Sequence, residues 1–363
     1  MAMSGGIDSA VSAMLLREQG CELIGMTFRT FDSIKDSCIA REKGCCSVES
    51  IMEARNLARK LGFKHHIIDF REPFRKFVID NFVDEYMHGR TPNPCVLCNS
   101  HIKWGLLLDA ADQYGCDMIA TGHYARIREH SGHWYLANAV DSTKDQTYFL
   151  WMLTEENLKR TVFPLGGYTK QQTRQMAAER GFVELSKKSE SQEICFVTNN
   201  DYRSFLEQEV PDFNLKCTEG NYVDSEGNVL GKHSGYPFYT IGQRKGLGIA
   251  LGKPRFVTHI DAENNQVTLG DHDDLLATHL FASKGHITDL EWLKQDPTVQ
   301  ARIRYKTKSI GAKIEIENIK PEENIGLNAS FSLNFEQPVW GITPGQSVVL
   351  YKDEMLVGGG IIR

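Results

Sequence analysis

The segment Ser4-Gly5-Gly6-Ile7-Asp8-Ser9 constrains this chain more than any other stretch. It separates a short apolar start, Met1 to Met3, from an amphipathic run, Ser9 to Gln19, with helical spacing. A glycine turn between a strand and a helix aims consecutive backbone N–H groups and the positive end of the helix dipole at one point, which suits an anion. The segment lacks the Gly-Lys-Ser/Thr ending of a Walker loop, which argues against the usual NTPase that cleaves between the β and γ phosphates. Only Met1 to Met3 precede the turn, where folds of this class open with about five or six apolar residues, so a weakened sheet centre is expected.

Short apolar runs alternate with amphipathic stretches over the first two hundred residues. Strands are expected at Glu22 to Phe28, Lys64 to Asp69 and Asp117 to Thr121, and helices at Ser9 to Gln19, Ser50 to Leu61, Pro73 to His88 and Ser100 to Tyr114. The last helix puts Ile102, Leu106, Ala110 and Tyr114 on one stripe. This is the α/β pattern of a Rossmann-like nucleotide-binding domain, read here over residues 1–200. At 363 residues the chain exceeds what one core organises. Beyond residue 200, turn signals at Asp224-Ser225-Glu226-Gly227 and Asp261-Ala262-Glu263-Asn264 separate short β-prone runs, giving a small β-rich central domain over 201–276. Runs at Val299 to Tyr305, Ala312 to Ile316, Ala329 to Phe335, Ser347 to Tyr351 and Leu356 to Ile361 have strand length, and closing them into a C-terminal β-barrel over 277–363 would remove their edges.

Apolar residues at 41% and charged residues at 24% exclude a disordered chain. No apolar run approaches the length of a membrane span and no basic-then-apolar leader opens the sequence, so a cytoplasmic protein without membrane contact is expected. A formal charge of −6 leaves any case for nucleic acid to local clusters. Nine cysteines without a secretion signal do not read as a disulfide framework; Cys21, Cys116 and Cys217 are expected to be small buried hydrophobes. Cys38, Cys45 and Cys46 fall in a polar Lys- and Glu-containing segment expected to be an exposed loop.

Chemistry is expected of the remaining cysteines. In Thr91-Pro92-Asn93-Pro94-Cys95-Val96-Leu97-Cys98-Asn99 the two prolines are read as forbidding helix until just before Cys98. That places Cys98 at a positive helix end, where a thiol pKa falls from about 8.5 toward neutrality. Cys195 stands far along the chain in Ser189-Glu190-Ser191-Gln192-Glu193-Ile194-Cys195-Phe196.

These motifs carry a resemblance. The glycine hexapeptide resembles the pyrophosphate loop of enzymes that split ATP between its α and β phosphates. Together with the Thr-Pro-Asn-Pro segment ending in Cys98-Asn99, Ala120-Thr121-Gly122-His123-Tyr124, Lys144-Asp145-Gln146, Ile194-Cys195-Phe196, Gly242 to Ile249 and Thr343-Pro344-Gly345-Gln346-Ser347, it resembles the tRNA-specific 2-thiouridylases of the PP-loop ATP pyrophosphatase superfamily.

The resemblance covers nearly the whole chain. It implies ATP-dependent thiolation at carbon 2 of the wobble uridine in lysine, glutamate and glutamine tRNAs, with Mg²⁺ and an upstream sulfur donor such as a cysteine desulfurase or relay protein. It implies nucleotide contacts from Ala2, Met3, Ser4 to Ser9 (Ser4, Gly5, Gly6, Ile7, Asp8, Ser9), Phe28 and Gly122, with Asp8 also a Mg²⁺ candidate. Cys195 would carry a persulfide, and Cys98 would act as the nucleophile that releases its sulfur as hydrosulfide or by closing a disulfide. Asn93, Pro94 and Cys95 would meet the target base of the anticodon stem-loop, and His123, Lys144, Asp145, Gln146, Arg304, Tyr305 and Gln346 the rest of the tRNA.

One position departs from the family pattern. Cys95 stands where many relatives have an aspartate proposed as acid or base, so Cys95, Cys98 and Cys195 could instead hold a [4Fe–4S] cluster that binds hydrosulfide. Basic clusters at Arg244, Lys245, Lys253 and Arg255 and at Arg302, Arg304, Lys306, Lys308 and Lys313 are candidate RNA contacts, Tyr305 offering a stacking face. Two rival readings keep the glycine loop: an AMP-forming ligase of the same superfamily, which has no use for Cys98 and Cys195, and a non-catalytic tRNA-binding sulfur carrier.

Overall fold

The computed structural model describes residues 1–31, 48–188, 194–318 and 328–363. Cys38, Cys45, Cys46 and the Ser189 to Glu193 part of the second cysteine motif lie outside the described residues. The chain divides into two compact units, one of residues 1–79, 94–200 and 354–356, the other of residues 80–93, 201–353 and 357–363.

The first unit is a parallel sheet wrapped by helices. Strand Ile24–Arg29 runs parallel to Lys64–Asp69, and Ile119–Ala120 runs parallel to Thr161–Val162. Residues 1–3 stitch the two pairs together. Ala2 forms a parallel bridge with Met26, Met3 N–H donates to Met26 (2.8 Å), Met26 N–H donates to Met1 (2.9 Å), and Ala2 N–H donates to Ala120 (2.8 Å). Numbered along the chain, with residues 1–3 as the first strand, the order across the sheet is 3-2-1-4-5. Three residues thus suffice for a bonded sheet centre, because a central strand needs only a few rungs when helices bury both faces. Helix Ile7–Glu18 is buried along nearly its whole length, from Ile7 to Leu16. Its Ala10, Ala13, Met14 and Leu16 pack with Ala54, Leu57 and Ala58 of helix Val48–Leu61.

Two expected helices are interrupted. Pro73 to His88 resolves into Arg71–Phe74, a π-helical turn Arg75–Ile79, and Asp80–Met87; the region after Pro94 resolves into Pro94–Leu97, a π-helical run Cys98–Leu106, and Leu107–Gln113. The reading that helix starts just before Cys98 is corrected. The helical run opens at Pro94, where a missing N–H costs nothing because first-turn donors have no partner inside a helix. Cys95, not Cys98, therefore occupies the first turn.

The second unit contains a four-stranded sheet in the order Val229–His233, Gly220–Val223, Gln266–Gly270, Phe256–Asp261. It also contains six strands that close on themselves. Leu276–Ile287 pairs with Ala329–Trp340, which continues through Ile310–Asn318, Thr298–Arg302 and Ser347–Lys352 to Met355–Ile362, whose Ile362 to Gly358 pair back onto Ala282 to Ile287. Alternation of burial along these strands, as at Ala329, Phe331, Leu333 and Phe335, fills the barrel interior. Residues 80–93 join this unit through Phe82 and Tyr86, which pack on Phe205 and Tyr202 with centroids 5.8 and 4.6 Å apart.

Candidate active site

In a doubly wound sheet, ligands bind beyond the carboxyl ends of the strands where the strand order reverses. Here the reversal lies between residues 1–3 and Ile119–Ala120, so the turns that leave those strands, Ser4 to Gly6 and Thr121 to His123, meet at that point. Helix Ile7–Glu18 starts after Gly6 with no side chain capping it, which leaves its first-turn N–H groups for an outside acceptor. Gly5 adopts a left-handed φ of 69°, and a Cβ there would lie 2.4 Å from the Ser50 carbonyl oxygen. A Cβ on Gly122 would lie 2.8 Å from the Asp8 carbonyl carbon and the Ser9 nitrogen. Both glycines are needed for backbone to approach backbone. Ser9 Oγ ties the turn together, accepting from Ser4 N–H (3.2 Å) and donating to the Gly6 carbonyl (3.0 Å).

The Asp8 carboxylate is gripped from residues far along the chain. Lys170 Nζ donates to both of its oxygens at 2.7 and 2.8 Å, and Tyr124 Oη donates to Oδ1 at 2.9 Å. Lys170 is placed by a capping box, in which Thr169 Oγ accepts from Gln172 N–H (3.2 Å) and Gln172 Oε1 accepts from Thr169 N–H (2.7 Å). Tyr124 is placed by the Lys144-Asp145-Gln146 motif. Its N–H donates to Gln146 Oε1 and its carbonyl accepts from Gln146 N–H, each at 2.9 Å. Asp145 is buried and accepts from Ala139 N–H (2.8 Å) and Thr147 Oγ (2.6 Å). Two motifs that are separate in sequence are thus one construction behind the glycine turn. Lys170 and Tyr124 were not assigned roles from sequence; the Thr169 to Gln172 capping box is the signal that could have drawn attention to Lys170. A metal ion at Asp8 would have to share the carboxylate with Lys170. Phe28 sits at the carboxyl end of its strand, its ring 5.2 Å from that of Phe70.

Both cysteine motifs touch the helical segment that follows Phe70. Phe196, next to Cys195, is buried edge-on against Phe74 at 5.7 Å. Three residues on, Phe77 stacks on His101 of the helical run that carries Cys98, at 4.7 Å. Cys95, Cys98, Cys195 and the glycine turn therefore all belong to the first unit, and both cysteine motifs pack on residues 74–77. Cys195 and Cys95 are exposed and Cys98 half-buried. The surface of Cys95 reaches solvent, yet desolvation by surrounding protein raises its thiol pKa, with Lys103 pulling the other way. Lys103, unremarked in the sequence, also approaches His123 Nε2 at 3.3 Å, while Thr121 Oγ1 bonds His123 Nδ1 at 2.8 Å. Burial, with Lys103 adding to it, holds the His123 pKa well below the ordinary 6.5. His123 is thus a neutral, buried ring beneath the Gly122 turn.

The donor set does not fit a [4Fe–4S] cluster in this conformation. Among the described residues no three His, Cys, Asp or Glu side chains come together as a metal site. Of the three cysteines expected to be structural, Cys217 is buried, with its thiol pushed up to about 11 by desolvation, while Cys21 and Cys116 are half-buried.

Other expected tRNA-contacting residues lie in the second unit. Gln346 Nε2 donates to the carbonyls of Thr91 and Pro92 at 3.1 and 3.0 Å, and Thr91 N–H donates to Pro344 at 2.9 Å. The barrel motif Thr343 to Ser347 therefore holds the chain just before Asn93 and Pro94. Arg304 donates to the Gly341 carbonyl (2.7 Å) and Thr343 Oγ1 (3.0 Å) and lies 5.3 Å over the Trp340 ring, while Arg302 lies over Tyr351 at 5.0 Å. Tyr305 is half-buried beside Arg304, and Lys306, Lys308 and Lys313 are exposed.

Comparison with known proteins agrees with this layout. Residues 1–199 match the family described as tRNA methyl transferase HUP domain, residues 203–271 its PRC-barrel domain, and residues 283–362 an aminomethyltransferase beta-barrel domain. The tRNA-specific 2-thiouridylase MnmA of Cytophaga hutchinsonii is 47% identical, covering 100% of this chain and 96% of the relative. The proteins of the same name from Amoebophilus asiaticus and Salinibacter ruber are 46% and 44% identical, each across 100% of this chain and covering 94% and 93% of the relatives. No helix among the described residues is long and apolar enough to cross a membrane. With an ATP-type glycine turn at the switch point of its sheet, two cysteine motifs on one helical segment and full-length similarity of this strength, the chain belongs to the tRNA-specific 2-thiouridylases, an ATP-utilising family of sulfurtransferases.

Proposed function

We propose that the protein replaces the carbonyl oxygen at carbon 2 of the wobble uridine of lysine, glutamate and glutamine tRNAs with sulfur, in two stages. The observation that carries this reading is the placement of the glycine turn and both cysteine motifs in one compact unit. ATP is the first substrate. Ser4 to Ser9 and Gly122 cradle its phosphates through backbone N–H groups, with Phe28 at the strand end beside them. Lys170 stands ready as a cation beside the leaving pyrophosphate, and Asp8 would help hold a Mg²⁺ ion, which would supply charge neutralisation there. The uridine O2 attacks the α-phosphorus, pyrophosphate leaves, and O2 becomes part of a departing AMP. This step is needed because a uracil carbonyl is a poor electrophile and oxide a poor leaving group.

In the second stage the terminal sulfur of a Cys195 persulfide attacks carbon 2 and AMP leaves with the oxygen. The Cys98 thiolate then attacks Cys195 Sγ, the S–S bond to the transferred sulfur breaks, and a Cys98–Cys195 disulfide forms. The persulfide sulfur takes up the two electrons that the cysteines lose. An external thiol resets the disulfide, and an upstream cysteine desulfurase or relay protein in the cytoplasm reloads Cys195, whose exposure suits delivery from outside. Asn93, Pro94 and Cys95 receive the base, Cys95 as a protonated thiol able to donate to the O2 or N3 edge. Lys144, Gln146, Arg304, Tyr305 and Gln346 grip the tRNA, while His123 and Asp145 support that surface from below. The cluster route requires three convergent thiolates, the persulfide route only Cys98 and Cys195. Incubating tRNA with protein, ATP, Mg²⁺ and a cysteine desulfurase with cysteine as the persulfide donor, then analysing digested nucleosides by mass spectrometry, tests the reading. Thiouridine accompanied by AMP is expected; AMP without sulfur incorporation, or neither product, would overturn it. Full activity in protein free of iron separates the persulfide from the cluster.

A further inference from the structure

We propose that the loop from Arg244 to Arg255 is a separate subsite for the phosphodiester backbone of the tRNA, an inference that rests on the tRNA reading above. The loop borders a concavity of about 430 Å³ lined by Arg244, Lys253 and Arg255 and by the apolar run from Leu247 to Leu251. Its charge is unbalanced. Asp271 is shared by Lys253 (2.9 Å) and Arg255 (3.3 Å), and neither Arg244 nor Lys245, both exposed, has an acidic partner among the described residues. A single carboxylate serving two of four cations leaves the concavity positive.

The backbone reinforces that sign. The Leu247 carbonyl is turned inward to accept from the buried Tyr222 hydroxyl at 2.7 Å, and the Lys245 carbonyl accepts from Gln243 Nε2 at 3.0 Å. Gly246, Gly248 and Gly252 have left-handed φ of 73°, 70° and 72°, which lets successive peptide groups reverse direction. No amide between Arg244 and Arg255 donates to a backbone carbonyl among the described residues. An inward Leu247 carbonyl, a second carbonyl already bonded, amides without backbone acceptors and surplus cations on a loop anchored by Leu247 make an anion site. The lining has no aromatic ring to stack a base and no carboxylate of its own to hold a ribose, so it fits a run of phosphates read without sequence and not a mononucleotide.

Arg244→Gln combined with Lys253→Gln, in the full-length protein, tests this by filter binding of unmodified substrate tRNA across a salt series. The dissociation constant is expected to rise about tenfold, and the slope of log affinity against log salt to fall by about one to two. Arg244→Lys with Lys253 intact should recover most of the loss. Unchanged tRNA affinity and slope, with the melting temperature showing the double variant folded, would overturn the subsite. So would weakened binding of inorganic pyrophosphate with no change for tRNA, which would make the loop a small-anion site. If wild-type protein fails to thiolate any tRNA, the functional reading falls by itself, whereas wild-type thiolation with an indifferent double variant removes only this loop.

Discussion

The glycine turn is fastened on every side, by Ser9 within it, by Tyr124 and Lys170 on Asp8, and by the Thr121 to His123 turn against its backbone. The cysteine side of the same unit is built the other way: Cys95 and Cys195 are exposed, and the helix carrying Cys98 is loosened into a π-helical run. The difference follows from what each side receives. Phosphates are the same in every turnover and can be met by a preformed backbone cradle, which loses no reorganisation energy at the moment of reaction. Sulfur must arrive from one protein and leave on an RNA, so its carriers need to be reachable.

If the two sides are separable, substitutions should divide by function. The largest effect is expected for Cys98→Ser and Cys195→Ser, each lowering thiouridine formation by about a thousandfold or more while tRNA-dependent pyrophosphate release in a single turnover persists; loss of pyrophosphate release in both would break the division. Next comes Gly122→Ala. Its methyl group meets backbone atoms of Asp8 and Ser9 at 2.8 Å, so the cradle must open, and AMP formation should fall about a hundredfold while Cys95 and Cys195 keep their rate of reaction with a thiol reagent.

Lys170→Met should act more mildly. It leaves the Asp8 carboxylate beside the phosphate site without its cation, and kcat/KM for ATP should drop about tenfold, measured by pyrophosphate release; Tyr124→Phe, which removes one neutral donor from Asp8, should cost less. The smallest effect concerns acid. The His123 pKa is held well below 6.5 in the folded chain, so the unfolded chain binds the proton first as pH falls through about 6.5 and the folded state loses stability in that direction. His65 and His101, lowered by burial, add to the same trend. Between about pH 7.5 and 5.5 the melting temperature of His123→Asn should fall about 2–4 °C less than that of the wild type; an identical fall would mean that His123 is not kept neutral by the fold.

Local signals in the sequence carried much of this. Strand Lys64–Asp69 was read with its observed ends, and the barrel runs were visible from their strand length and spacing. The π-helical turns were not legible, since an apolar stripe at 3.6 spacing looks the same whether or not one residue is inserted into it. Pro94 was read as a breaker although it starts a helix, because the same residue does either according to position. The Asp8–Lys170 pair joins residues 162 apart, and the packing of Phe82 on Phe205 takes residues 80–93 into the second unit; no local pattern specifies contacts at that separation. The resemblance named Gln346 and the Thr91 to Pro94 segment independently, and the fold joins them by two hydrogen bonds.

The most direct test of the account is a single turnover of persulfide-loaded protein with ATP, Mg²⁺ and unmodified tRNA, quenched in acid and mapped by peptide mass spectrometry. A Cys98–Cys195 disulfide that accumulates in step with thiouridine, and only when both ATP and tRNA are present, is the predicted result. Thiouridine formed at the same rate while both cysteines remain unlinked would contradict it.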